Sequence, residues 1–501
     1  MERTLSAAPH SDVRMVGVSW PLLAFLAVLV GVLASPRPFA LLLDGDTYWH
    51  LAAGRWIVEH GVVPSTDPFS HSMPEAPWTA HEWLSELVLY GVHRLGGWAG
   101  LVVLGALSFA ATVAYLMRFL MKRMEPVHAL LFTVFGGLMA LTHLLARPHV
   151  LAWPLLVVWV AMLVDAVEQR RSPPWWMLGL MVLWANLHGS FTLGIALAAA
   201  LSVDAVISAP RGQRVDIARR WAAFVVLCVL AALLTPSGWQ GLWFTFHVMG
   251  MGVALAAIAE WRSPDFHGFQ PVELWLLTML CIACAGLVRL PWLRLLIVAG
   301  LLHLALKHQR NVAVLGLVSP LLMAAPLAQH WRRSSVPGRD VESLDRVFRA
   351  LAAPASAMSV AIAAGVAVLA IAAALHSGRY SPAIERTPQA AVEAAMRNGA
   401  HGPVLNDYGF GGYLIYNRVP VFIDGRADMY GDAFLKRYIE ALGMSDPAAL
   451  PQLLDQYRIG WTLLAPGTSA VAMLDRLPGW RRVHADSVAV VHVREDALAA
   501  R

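Results

Sequence analysis

Apolar and polar positions along the chain separate into long blocks. Apolar runs lie near 16–35, 97–117, 127–145, 149–166, 175–187, 191–208, 221–235, 271–288, 292–306, 311–329 and 351–375. Most approach the roughly 20 apolar residues that a helix needs to cross a membrane. These runs predict about 11 membrane-spanning helices within residues 1–376, with a long polar loop, 36–96, after the first. From residue 377 the pattern changes. Pro388–Asn398, Tyr430–Leu442 and Ser469–Leu477 have helical spacing, while Pro403–Asn406, Val419–Ile423, Trp461–Ala465 and Val488–Val493 read as strands. Residues 377–501 are therefore expected to form a small α/β domain.

Basic residues orient the helices. With the N-terminus inside, the inner segments carry 18 Lys and Arg and the outer segments up to 376 carry seven. That bias favours a cytoplasmic N-terminus and an α/β tail outside the cytoplasm. A further span at 241–258 would invert the later helices and spoil the bias, so that stretch is expected at the interface. Val32-Leu33-Ala34 resembles a cleavage site, but the apolar stretch before it is longer than a usual signal segment, and it reads as an uncleaved helix. Residues 175–207 must hold two helices and a turn between basic flanks, too few for two full spans. The hairpin tip Asn186-Leu187-His188-Gly189 should thus lie below the outer surface, where irregular backbone survives only inside protein or beside a polar cavity.

Composition agrees with lipid as the solvent: 58% of residues are apolar, 14% are charged and mean hydropathy is +0.57, against about a quarter charged in soluble domains. The net charge of +5 mostly records loop arginines, not a nucleic-acid partner. Cys228, Cys281 and Cys284 all lie in apolar runs, so the tail has no disulfide framework. The spacing of Cys281 and Cys284 reads as packing within a helix.

The candidate chemistry collects on the outer side. The first loop opens Asp44-Gly45-Asp46-Thr47-Tyr48-Trp49-His50. Asp44 and Asp46 are placed to share a hard divalent cation such as Mg or Mn, with His50 one turn on. The alternative reading is a helix cap by Asp46 or Thr47. Farther along lie His81 and Glu82, between Trp78 and Trp83, which read as aromatic belt anchors. Arg147, Asn186, His188, Glu260, Asp265, Lys307 and Arg310 fall on the same side. Ionisable groups at the membrane edge are expensive and point to function, although Lys307 and Arg310 are also placed to snorkel. Arg147 is the only charged residue between Glu125 and Asp165, and a guanidinium there suits capture of a lipid phosphate. Neither a P-loop nor a dinucleotide fingerprint is present. In the tail, Asn406-Asp407-Tyr408-Gly409 and Asp424-Gly425-Arg426 follow apolar strands, as ligand clefts or as plain turns.

The loop that begins Asp44-Gly45-Asp46 and runs through Gly54-Arg55-Trp56-Ile57-Val58-Glu59-His60-Gly61 and Pro64–Ser70 to His81-Glu82-Trp83 resembles the GT-C superfamily of membrane glycosyltransferases. That group includes oligosaccharyltransferase catalytic subunits and protein mannosyltransferases. The chain is also similar to bacterial multi-pass proteins that share its Asn-Leu-His-Gly, Glu-Trp-Arg-Ser-Pro-Asp-Phe and Asp424-Gly425-Arg426-Ala427-Asp428 elements. The resemblance implies transfer of a sugar from a polyprenyl-phosphate donor to an extracytoplasmic glycan, lipid or protein, at a bacterial inner membrane. Asp46, with Asp44 beside it, matches the acidic residue that the superfamily places after its first helix. Asp46, Asp44 and Glu82 are the expected catalytic groups. Arg147, Arg310, His188 and Lys307 would hold the donor phosphate, with His50, His81, Asn186, Glu260 and Asp265 around the pocket. The Trp-Trp-Asp motif of oligosaccharyltransferases and the Asp-Glu pair of protein mannosyltransferases are missing, which leaves the acceptor open. The competing readings are a transporter or flippase for lipid-linked saccharides and a non-catalytic assembly protein with a GT-C shell.

Overall fold

The computed structural model describes residues 17–35, 41–253, 256, 258–287, 289–334 and 343–495. Arg3, Arg14, Arg37 and Arg339, which enter the orientation count, lie outside these residues. The first part of the chain is helical: α1 (Trp20–Ala34), α2 (Asp46–His60), α3 (Trp83–Met121), α4 (Pro126–Leu141), α5 (Pro148–Glu168), α6 (Met177–Leu187) and α7 (Phe191–Ser208). There follow α8 (Arg214–Ala232), α9 (Trp239–Met249), α10 (Pro271–Cys284), α11 (Trp292–Lys307), α12 (Val312–Ser334), α13 (Ser343–Ala350) and α14 (Ala357–His376). Each apolar run of the sequence falls on one of these helices. Among the described residues five helices are long and apolar enough to cross a membrane: α3, α5, α7, Gln309–Trp331 and α14. Among the described residues α1, α4, α6 and α10 are apolar but shorter.

Burial separates the helices that face protein from those left for lipid. The apolar windows of α3, α5 and Gln309–Trp331 are 72, 67 and 78% buried, whereas that of α14 is 11% buried. Helix α14 therefore presents nearly all its apolar surface outward, as a helix long and apolar enough to cross a membrane can do in lipid. At the centre, Trp159 is wholly buried and donates to the Gly194 carbonyl at 2.9 Å. Cys281 and Cys284 are free thiols exposed on α10, and do not pack inside as the sequence leads one to expect. Helix α6 has 11 residues, about 16 Å at the helical rise against about 30 Å of hydrocarbon. It ends at Leu187, and the Asn186–Gly189 tip is enclosed by protein, with Asn186 and His188 both buried.

The tail holds α15 (Gln389–Arg397), β1 (Val404–Asn406), α16 (Gly411–Tyr416), α17 (Ala427–Gly443), α18 (Ala449–Gln456), β2 (Trp461–Leu464), α19 (Ser469–Leu474), β3 (Trp480–Ala485) and β4 (Val490–Arg494). The sheet order is β1-β2-β4-β3, with β1 parallel to β2 and the other pairs antiparallel. Val419–Ile423 is not a strand of this sheet. Its extended backbone pairs instead with the first outer loop: Val421 donates to the Phe69 carbonyl at 3.1 Å and accepts from His71 at 2.9 Å. That pairing satisfies the backbone of Val421 as a strand would, and ties the tail to the segment between α2 and α3.

A buried ion cluster makes the same join. Arg426 donates to both carboxylate oxygens of Asp424 (2.8 and 2.7 Å) and to Asp67 at 2.7 Å, while Tyr430 donates to Asp424 at 2.7 Å. The guanidinium is also 5.0 Å from the Phe69 ring centroid and 4.8 Å from that of Trp78. Trp78 is 5% exposed and packs against protein, so it is a wall of this cluster and not a belt anchor.

Candidate active site

The site is built where five separated segments meet. Asp44 precedes α2, and its Oδ1 accepts the backbone N–H of Asp46 at 3.0 Å. Asp44 therefore does the capping that the sequence allots to Asp46 or Thr47, and the Asp46 side chain is left free to face the site. Arg147 immediately precedes α5 in extended conformation, Glu260 lies in a short turn at Ala259–Trp261, and Arg310 in another at Gln309–Asn311.

These side chains form one network. Arg147 lies 2.9 Å from Asp44, 3.0 Å from Asp46 and 3.0 Å from Glu260. Arg310 reaches the other oxygen of Glu260 at 3.3 Å, and its guanidinium is 4.3 Å from the Trp261 ring centroid. Three carboxylates against two guanidiniums leave the group with one excess negative charge when all are ionised. The positions also separate the carboxylates chemically. Burial and the neighbouring Asp44 outweigh Arg147 and raise Asp46 to about 7. Burial alone would raise Glu260, but Arg147 and Arg310 prevail and hold it at about 2. One carboxylate is a fixed counter-ion, and the other is poised to take and release a proton near neutrality.

A second group adjoins the first. Glu82 lies 3.3 Å from His188, 3.6 Å from His81 and 4.0 Å from His50. Burial raises Glu82 to about 7 against the pull of Arg147 and Arg310. His188 is oriented by Ser190 at 2.7 Å, and Asn186 accepts from the Trp83 indole at 2.8 Å. The protein-enclosed hairpin tip thus supplies His188 to the pocket and Asn186 to its wall.

The structure brings together Asp44, Asp46, His50, His81, Glu82, Arg147, His188, Glu260 and Arg310. Two expected residues stand apart. Asp265 is exposed and paired with His267 at 2.7 Å, and Lys307 is exposed at the end of α11. Only Glu260 and Trp261 of the Glu-Trp-Arg-Ser-Pro-Asp-Phe run reach the network. As placed, Asp44 and Asp46 do not fit a shared divalent ion, because Arg147 lies between them. Among the described residues no three His, Cys, Asp or Glu side chains converge as metal ligands.

Of the two tail motifs that the sequence offers as ligand clefts or turns, both reach this site, while Glu86 was not singled out in the sequence. A Cβ added to Gly425 would stand 2.0 Å from Asp46 Oδ1, so the backbone of Asp424-Gly425-Arg426 lies directly against that carboxylate. Tyr408 donates to the Gly425 carbonyl at 3.2 Å. Burial raises Asp428 while nearby His81 lowers it. Glu86, wholly buried on α3, lies 3.5 Å from His50. The signal for Glu86 was its spacing: two carboxylates at i and i+4 repel on a solvated helix, and Glu82 and Glu86 are so spaced.

No protein-family model and no curated protein matches the sequence. Among solved structures, the chain is similar to the oligosaccharyltransferase AglB of Archaeoglobus fulgidus in complex with an inhibitory peptide and a dolichol-phosphate. The TM-score is 0.54 at 12% identity over 89% of this chain and 69% of that one. The apo form of the Archaeoglobus fulgidus oligosaccharyltransferase aligns with TM-score 0.54 at 11% identity over 88% and 69%. ArnT from Cupriavidus metallidurans bound to undecaprenyl phosphate gives TM-score 0.48 at 14% identity over 94% and 97%. The chain shares the fold of the Archaeoglobus fulgidus oligosaccharyltransferase.

Proposed function

We propose that this protein is a glycosyltransferase of GT-C type that moves a sugar from a polyprenyl-phosphate donor to an acceptor outside the cytoplasm. The observation that carries this reading is the meeting of Asp46, Glu82, Arg147, Glu260 and Arg310, drawn from separate loops, beside a sunken hairpin tip. The AglB complex contains a dolichol-phosphate, a ligand of the proposed donor chemistry. In this account residues 1–376 span a bacterial inner membrane about eleven times with the N-terminus inside, and 377–501 face the periplasm.

The chemistry follows from charge. The acceptor nucleophile attacks the anomeric carbon, the carbon–oxygen bond to phosphate breaks, and the phosphate leaves with the electron pair. The acceptor proton passes to a carboxylate, for which Asp46, raised to about 7, is matched. Positive charge is needed where the phosphate departs. Arg310, 30% exposed and held among the described carboxylates by Glu260 alone, is the better placed clamp. Arg147 is committed to three carboxylates, so its first task is to set their geometry. The Asp424-Gly425-Arg426 backbone roofs the site, and the tail holds the acceptor against it.

Mass spectrometry of lipid-linked saccharides and surface glycans, with and without the gene, tests the reading. Loss of one glycosylated product with accumulation of its polyprenyl-phosphate sugar supports it. Unchanged glycans and donor pools contradict it.

A further inference from the structure

Behind Glu82 lies a pair of polar side chains that the transfer reaction does not touch. His50 on α2 is 0% exposed, and neither ring nitrogen has a hydrogen-bond partner. Glu86 on α3 is 1% exposed, and its Oε2 is likewise unpartnered. Two unsatisfied polar side chains in one dry place are costly unless they serve each other.

Their geometry orders them into a line. Glu86 Oε1 is 3.5 Å from His50 Nδ1, and His50 Nε2 is 4.0 Å from Glu82 Oε2. Such spacings are common in resting sites and close into hydrogen bonds when substrate binds. The line is held rigidly. A Cβ on Gly54 of α2 would stand 2.1 Å from the Glu86 carbonyl oxygen, so the two helices touch backbone to backbone. The Trp49 ring covers His50 at 3.7 Å between centroids.

Charge decides the protonation pattern. Among the described residues Glu86 has no ion pair with an arginine or lysine, the neighbouring Glu82 disfavours its charge, and Arg426, whose charge favours it, is committed to Asp424 and Asp67. Glu82, by contrast, is faced by His81, His188 and His50, and feels Arg147, Arg310 and Glu260. An ionised Glu86 would be an isolated buried charge, whereas an ionised Glu82 has compensation. Burial also keeps His50 neutral.

We infer that Glu86 is a protonated carboxyl that donates to Nδ1 of His50, fixing the tautomer whose Nε2–H holds and steadies the Glu82 carboxylate. Glu86 and His50 are positioning residues that act through Glu82, in the manner of a base oriented by a third group. The inference rests on the proposed transfer reaction for its kinetic consequence, but not for the protonation state itself.

Two measurements test it. Infrared difference spectra of the reconstituted protein at neutral pH should show the carbonyl band of a protonated carboxylic acid that is lost in Glu86→Gln. Glutamine donates to Nδ1 as the acid does, so Glu86→Gln should keep the pH profile of transfer. Because the ionised Glu82 lines the same pocket as Asp46, Glu86→Leu should move the pH profile of transfer to higher pH by about one unit and lower kcat about tenfold with KM unchanged. An unchanged infrared spectrum in Glu86→Gln overturns the inference, as does a wild-type pH profile in Glu86→Leu. Equal loss in both variants also overturns it, because the carboxyl proton itself would then be consumed in the reaction. The infrared result does not depend on transfer, so it stands apart from any failure of the glycosyltransferase reading.

Discussion

Nη1 of Arg147 donates to Oε2 of Glu260 at 3.0 Å, joining residues 113 positions apart. The same nitrogen donates to Asp44 at 2.9 Å. One guanidinium therefore ties the loop before α2, the start of α5 and the turn before α10 into a single wall.

Replacing Arg147 with methionine leaves three partly buried carboxylates facing Arg310 alone. The expected loss of stability is about 2–4 kcal/mol, below the value for a fully buried pair because the side chain is 18% exposed. Thermal unfolding in detergent measures it. Glu260→Gln added to Arg147→Met should recover part of the loss, since it removes one uncompensated charge. Additive losses would show that the two residues do not interact.

The pH dependence has a definite sign. Asp46 titrates at about 7 when folded against an ordinary value of 3.8, so the rate of transfer should rise with pH through about 7 as the base form appears. For the same reason Asp46 favours the folded state least above that range, and its cost to stability grows between 3.8 and about 7. Glu260 acts oppositely. Held at about 2 from an ordinary 4.5, it contributes stability above 4.5 that is lost as pH falls toward 2. A rate that is flat from pH 5 to 9 would remove Asp46 as the base.

Arg426→Leu should detach the tail from the first outer loop. The guanidinium is 1% exposed and bound to Asp424 and Asp67, and removing one partner of such a cluster costs about 3–5 kcal/mol. Limited proteolysis should then cut within 64–72 or after 377 faster than in the parent protein. Equal cutting rates would mean that the cluster does not hold the join.

The orientation is tested at Ser381, which is exposed just after α14. A cysteine placed there should react with a membrane-impermeant reagent from the periplasmic side of intact cells. Labelling only after the inner membrane is opened would contradict an external tail.

Much of this architecture was legible because membrane helices announce themselves in one dimension. The apolar runs fall on helices, and the short hairpin follows from counting residues between basic flanks. The site was legible in parts. Asp44, Asp46, His50, Glu82, Arg147 and Glu260 stood out as ionisable groups in an apolar chain. What failed was inference from neighbours in sequence. Asp265 is five residues from Glu260, but the chain between them carries it out to solvent. Val419–Ile423 has a strand's composition, yet its partner is a loop some 350 positions earlier. β3 (Trp480–Ala485) is a strand whose arginines and histidine hide the alternation. Glu86 was overlooked because Trp83-Leu84-Ser85-Glu86 reads as an amphipathic turn with its acid in water, while the packing of α2 encloses it.

The central claim is that Asp46 takes the acceptor proton during sugar transfer. Purified protein in liposomes, supplied with a radiolabelled polyprenyl-phosphate sugar and the acceptor fraction of the parent membrane, measures it directly. Asp46→Asn should fold, keep donor binding and transfer about 10²–10⁴ times more slowly. Full transfer by a normally folded Asp46→Asn protein would contradict the account.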